Sequence, residues 1–336
     1  MPTVYVAMEA GVLVARGDGD GWTSLEGLGD PGDGDRFECL AADGRVPDRV
    51  FVGTFQTGLR RSADAGASWD RVGAAVVASD AVLSVAAGSP DPDVVYAGTE
   101  PSALYRSDDG GDTWTALPPL TDLATAEEWH FPPRPYTHHV RWLEVDPHEP
   151  ERLYAAIEAG ALLRSTDGGE TWAERLPGSR YDTHQLATHP DAPGRVYAAA
   201  GDGYAESADG GASWFHPQDG LDHRYCWSVA PTPGDPDVVL LSSASGPRTA
   251  HSRPGESYVY RRSGEGPWER LDGRGLPMGE GVLRAVLAPG EGDAELFAAN
   301  NRGVFHTTDA GGSWDRLPLD WPEGYAAQTV RGLAVV

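Results

Sequence analysis

The sequence predicts an all-β protein, a single seven-bladed β-propeller of four-stranded blades occupying residues 1–336. Three observations carry this prediction. A nine-residue turn motif recurs along the chain, each copy sits in a similar run of short apolar strands, and the two chain ends each hold part of one such run.

The motif is clearest as RSDDGGDTW (106–114). Close copies are RSADAGASW (61–69), RSTDGGETW (164–172), ESADGGASW (206–214) and HTTDAGGSW (306–314), and worn copies are ARGDGDGW (15–22) and RRSGEGPW (261–268). Their closing tryptophans are Trp22, Trp69, Trp114, Trp172, Trp214, Trp268 and Trp314, at spacings of 47, 45, 58, 42, 54 and 46 residues. Such periods suit propeller blades of four strands each.

Each unit reads as strands A to D. In VLSVAAGSPDPDVVYAGTEPSALYRSDDGGDTW, strand A spans 82–87, a Pro/Asp turn leads to B at 94–98, C covers 103–107, and D opens at the tryptophan. Strand B recurs as RVFVGT, RLYAAI, RVYAAA, VVLLSS and ELFAAN. The N-terminus begins at a strand B (VYVAME), whereas the C-terminus stops on a strand A (TVRGLAVV, 329–336). The last strand is therefore expected to complete the first blade, which leaves no open sheet edge in the ring.

In the motif, Asp and Ser side chains can bond nearby backbone N–H groups, and Gly supplies backbone angles that other residues avoid. The tryptophan then plugs the start of strand D. This pattern resembles the Asp-box, or BNR repeat, of sialidases, xyloglucan-cleaving hydrolases, sortilin-type receptors and photosystem II assembly factors. The resemblance implies that the box lies in C–D turns at the periphery, away from the ligand face. It makes Asp64, Asp109, Asp167, Asp209 and Asp309 structural residues. ARGDGDGW also looks faintly like a calcium loop, but Thr23 stands where an EF-hand needs glycine.

Composition narrows the function. The chain carries 26 basic and 51 acidic residues, a net charge of −25, and every basic residue is Arg. So acidic a surface repels polyanions, which argues against nucleic acid as a partner. The carboxylates are spread through turns and read as a hydrated surface suited to a salty solvent. No basic leader with an apolar core opens the chain and no apolar run is long enough to span a membrane, so a soluble, cytoplasmic protein is expected. Cys39 and Cys226 are far apart in sequence, lack metal or disulfide spacing, and are expected to stay reduced.

Candidate chemistry is sought at the opposite face, lined by D–A and B–C loops. Aligning the entries to strand A gives one column: Glu38, Leu83, Arg141, His184, Tyr225, Arg284 and Arg331. The B–C loops add Glu9, Gln56, Glu100, Glu158, Asp202, Asn300 and Asn301, and a long loop (243–257) brings Arg248 and His251. An insertion, EEWHFPPRPYTHH (127–139), carries Trp129, His130, Arg134, Tyr136, His138 and His139. Long loops rich in aromatics and Arg on one face commonly bind something.

The expected ligand-binding set is Arg141, His184, Tyr225, Arg284, Arg331, His138, His139, His223 and Arg248, receiving an anionic small molecule, a glycan or a partner segment. His138, His139, His184 and His223 raise the question of zinc, but neighbours 138 and 139 point to opposite sides of a strand. No metal and no cofactor is expected.

The leading reading is a non-catalytic binding or assembly module. The rival is a glycoside hydrolase using Glu38 and Tyr225, with Arg141, Arg284 and Arg331 clamping a substrate carboxylate. Sialidases of the resembling family have six blades and an Arg-Ile-Pro motif, and the xyloglucan enzymes pair two propellers. Neither pattern is present here. A third reading is a scaffold whose channel is plugged by its own side chains.

Overall fold

The computed structural model describes residues 2–17, 21–25, 27–29, 34–88 and 90–336. Part of the worn first box, at 18–20, lies outside them. Seven antiparallel sheets succeed one another around a ring. Blade 1 joins the two chain ends: Val330–Val335 is its inner strand A, followed by Thr3–Met8, Gly11–Gly17 and Trp22–Leu25. Val4 stands opposite Val335 and Val6 opposite Leu333, and backbone bonds between Thr3 and Val336 of 2.6 and 3.0 Å extend the seam.

Blades 2, 3 and 7 have four strands each, with inner strands Phe37–Ala42, Val82–Ala87 and Val286–Pro289. Blades 4 and 5, entered at Val140–Val145 and Thr183–Thr188, keep three full strands, and their fourth is a single bridge, Arg164 to Ala173 and Glu206 to Phe215. The chain explains both. Arg175 turns away at φ 51, and Pro217 follows Phe215 by two residues and lacks the N–H that a ladder needs. Blade 6, entered at Tyr225–Thr232, gains a fifth short strand, Gly279–Glu280.

The core lies between blades. Strands B of blades 2, 3, 4, 5 and 7 are buried along their whole length because neighbouring sheets cover both faces, so they read as continuous apolar runs rather than alternating ones. Close approach needs small residues: a Cβ on Gly53 would lie 2.3 Å from the Val82 carbonyl oxygen. Trp114 plugs one such seam, packed with Phe51 and Leu59 of blade 2 and with Val82 and Tyr105 of its own blade.

The five well-kept box turns share one bonding scheme. In the copy at 106–114, the Ser107 hydroxyl donates to Asp109 at 2.8 Å and accepts the Gly111 N–H. Asp109 also accepts the N–H and hydroxyl of Thr113 at 2.8 and 2.6 Å. Asp64, Asp167, Asp209 and Asp309 make the same bonds. The left-handed first glycine is replaced by Ala65 (φ 56) and Ala310 (φ 53) in two copies.

Candidate functional site

Six of the seven inner strands carry a register irregularity near their entry, so that one residue is left over in the ladder: Glu38, Leu83, Arg141, His184, Trp227 and Arg331. A bulge re-aims a side chain and is common beside functional sites. These irregularities coincide with the expected column at every blade they occupy except blade 6. There the left-over residue is Trp227, not Tyr225, because strand A of that blade starts earlier, pairing with the extended strand Asp235–Ala244. A shift of two residues preserves facing, so sequence periodicity cannot separate the two.

Above this ring lies a cavity of about 530 Å³. Its walls include Arg36, Arg134, Arg141, Arg248 and Arg331, the carboxylates Glu38, Glu158 and Asp182, and Tyr225, Trp227, His139 and His251. Phe131, Pro132 and Pro133 of the insertion form an apolar lip, and Pro247 stands opposite on a short helix, Pro247–His251. Below Trp227, Arg141 and Arg331 the channel narrows to a space of about 40 Å³ before opening again at the other end of the ring. The mouth is therefore a pocket with a floor.

Two guanidiniums lie over Trp227, Arg284 at 3.6 Å and Arg141 at 4.7 Å from a ring centroid. Arg284 is fully buried and has no carboxylate partner among the described residues. It donates to the Val330 carbonyl at 2.7 Å and to His251 Nδ1 at 3.0 Å. That bond fixes the His251 tautomer, because a guanidinium only donates. His251 then holds its proton on Nε2 and gives it to the Tyr225 oxygen at 2.9 Å, leaving the Tyr225 hydroxyl hydrogen to serve another acceptor. Burial and the Arg284 charge press the His251 pKa down to about 2, which keeps the ring neutral.

The other arginines are partly compensated. Arg134 forks onto Glu100 at 2.8 and 2.5 Å, Arg331 reaches Glu9 and Glu38 at 3.1 Å each, and Arg36 pairs with Glu38. His139 lies buried between Glu158, at 2.8 Å, and Glu100. Burial disfavours charge on all three, but their mutual hydrogen bonds win: His139 is raised, Glu158 is lowered and Glu100 is held at about 2. Arg248, exposed at the rim, has no carboxylate partner among the described residues.

Of the expected set, Arg141, Tyr225, Arg331, His139 and Arg248 line the cavity. His184 lines the narrow channel below, and Arg284 lies behind the wall. His138 packs against Trp129 at 5.6 Å, and His223 stacks on Tyr258 at 4.2 Å, so neither lines the cavity. Trp129 is core, while Tyr136 is 85% exposed. The sequence reading missed Arg36, Phe131, Asp182 and Trp227. Phe131 stands in the insertion and the other three lie two residues from the strand-A column, at Glu38, His184 and Tyr225, but nothing local marks which residue of a loop turns inward.

No protein-family model matches the chain. A xyloglucanase from Paenibacillus sp is 32% identical over 116 residues, 29% of this chain and 11% of that protein. Among solved structures, the GH74 enzyme from Niastella koreensis superposes with a TM-score of 0.68 at 17% identity, covering 93% of this chain and 52% of that one. YCF48 bound to D1 peptide gives 0.60 at 14% identity, covering 89% and 92%. The chain thus spans a small part of the xyloglucanase, about half of the GH74 enzyme and most of YCF48. At these identities the solved structures show the fold: the chain is a seven-bladed β-propeller of antiparallel sheets, with GH74 enzymes and YCF48 as structural neighbours.

Proposed function

We propose that this propeller is a non-catalytic binding module whose pocket takes a carboxylate-bearing ligand, either a small molecule or glycan or an acidic segment of a partner protein. The carrying observation is convergence. A chain with net charge −25 gathers five guanidiniums around one cavity, backed by an aromatic floor. Arg248 without a carboxylate and the Tyr225 hydroxyl offer donors to an incoming anion, and the Phe131–Pro133 lip suits its apolar part. YCF48, which shares the fold, is described bound to a D1 peptide, which favours a protein segment among these ligands.

The xyloglucanase likeness keeps glycoside hydrolysis as the second reading. That chemistry needs a carboxylic acid that keeps its proton, together with a base or nucleophile. Glu158 and Glu100 are lowered by their partners, and Tyr225 is raised by burial and by Glu158 and Asp182, which suits a hydroxyl donor rather than a nucleophile. Among the described residues burial pushes the carboxyl of Glu144 up to about 7, and Glu144 lines the opposite end of the ring.

The test is a thermal-shift screen with citrate, sialic acid and Glu-rich peptides, run beside turnover assays on aryl glycosides including sialosides. Stabilisation by a carboxylate without turnover supports the proposal. Turnover, or no response to any carboxylate, defeats it.

A further inference from the structure

We infer a divalent-cation site in the wall of this cavity, formed by Glu158, Asp182 and His184. Glu158 follows strand B of blade 4, Asp182 precedes strand A of blade 5, and His184 is the left-over residue of that strand. In each residue one polar atom is tied down and the other turned inward. Glu158 Oε2 faces His139 Nε2 at 2.8 Å, and Asp182 Oδ1 accepts the Ala159 N–H at 3.0 Å. His184 Nδ1 donates to the Cys226 carbonyl at 2.7 Å, since a carbonyl oxygen only accepts.

The three remaining atoms converge. His184 Nε2 is fully buried and has no hydrogen-bond partner, and it lies 3.6 Å from Asp182 Oδ2 and 3.9 Å from Glu158 Oε1. All three lie within 4.8 Å of one another. With Nδ1 given to the Cys226 carbonyl, Nε2 is the ring atom left facing the two carboxylate oxygens, and this cluster of acceptors calls for a positive species between them. Both separations are too long for a shared hydrogen bond. They are the right length for an ion: the point equidistant from the three atoms is about 2.4 Å or less from each, within metal–oxygen and metal–nitrogen bonding range.

The surroundings resemble the outer shell that orients metal ligands, with a backbone carbonyl behind the histidine and His139 behind Glu158. One imidazole and two carboxylates suit Mn²⁺ or Zn²⁺. Glu158 and Asp182 line the cavity, so the ion's free positions open toward any bound anion. The four histidines His138, His139, His184 and His223 show no metal spacing in the sequence. Among the described residues, the fold brings His184 of these four into the ligand set and supplies the other ligands as carboxylates from a neighbouring loop and the strand entry.

The test titrates chelator-treated full-length protein with MnCl₂ and ZnCl₂ by calorimetry, with no carboxylate ligand present, so that its outcome is independent of the anion-binding proposal. One ion per chain is expected, weakened about tenfold or more by His184→Ala and by Asp182→Asn and unchanged by His223→Ala. Asp182 is partly exposed, so Asp182→Asn retains the fold if His184→Ala does not. Electron spin-echo spectra of the Mn²⁺ protein should show imidazole nitrogen coupling. Absence of binding up to millimolar ion, or an Asp182→Asn affinity equal to wild type, overturns the site.

Discussion

The two ends of the blades obey different rules. At the C–D turns, five copies of one sequence make one set of bonds, so that Asp64 and Asp309 are interchangeable in what they do. At the entries to strand A, backbone irregularities recur around the ring but the side chains they present are Glu, Leu, Arg, His, Trp and Arg. Repetition marks the turn that five of the blades share as part of their fold. Its absence, on a backbone that still repeats, marks where the molecule has been free to build a site.

Perturbations should sort along this divide. The largest effect belongs to ring closure: removing residues 330–336 exposes the edge of Thr3–Met8 and should abolish cooperative thermal unfolding. A truncated chain melting as sharply as the full one would refute closure as a source of stability. Next, Trp114→Ala should cost about 3–5 kcal/mol in denaturant unfolding by emptying the seam between blades 2 and 3, with carboxylate binding unchanged in the folded fraction. Arg248→Ala is the mirror case. Its side chain is exposed and has no carboxylate partner, so affinity for a carboxylate should fall several-fold while the melting temperature stays put.

A smaller effect separates the ends by pH. Hydrogen bonds from Thr113 hold Asp109 at about 2, and the equivalent bonds hold Asp64, Asp167 and Asp209 there too. A carboxyl depressed in the folded state contributes stability above its unfolded pKa and loses it as pH falls through the folded value. The box contribution should therefore be intact at pH 5 and fade between about pH 4 and pH 2. Asp109→Asn, compared with wild type by melting temperature across that range, should flatten the decline. The smallest expected signal is chemical: Cys39 and Cys226 are buried, and burial pushes both thiols up to about 12. Neither should react with a thiol reagent until the protein unfolds.

The same divide explains what could be read from the sequence. The box, its spacing and the strands around it gave blade number, strand order and ring closure, because turn chemistry is local and its motif recurs, five times well kept and twice worn. The bulges at Arg141, His184 and Arg331 were legible as a polar column entering apolar strands. Trp227 was not, since Tyr225 two residues earlier has the same facing. Asp182 and Arg36 were hidden because their roles depend on loops from other blades, and Arg284, legible as polar, proved to act through Trp227 and His251 from behind the wall. The shortened outer strands of blades 4 and 5 turned on one backbone angle at Arg175 and one proline at Pro217.

On the function proposed above, the unrepeated face of the ring binds a carboxylate. The most direct measurement is a calorimetric titration of the best carboxylate from the screen into wild type, Asp109→Ala and Arg141→Ala. Binding should survive Asp109→Ala with only a lowered melting temperature, and fall at least about tenfold in Arg141→Ala, whose guanidinium stacks on the Trp227 floor. Equal affinity in Arg141→Ala and wild type, or loss of binding in a folded Asp109→Ala, would contradict it.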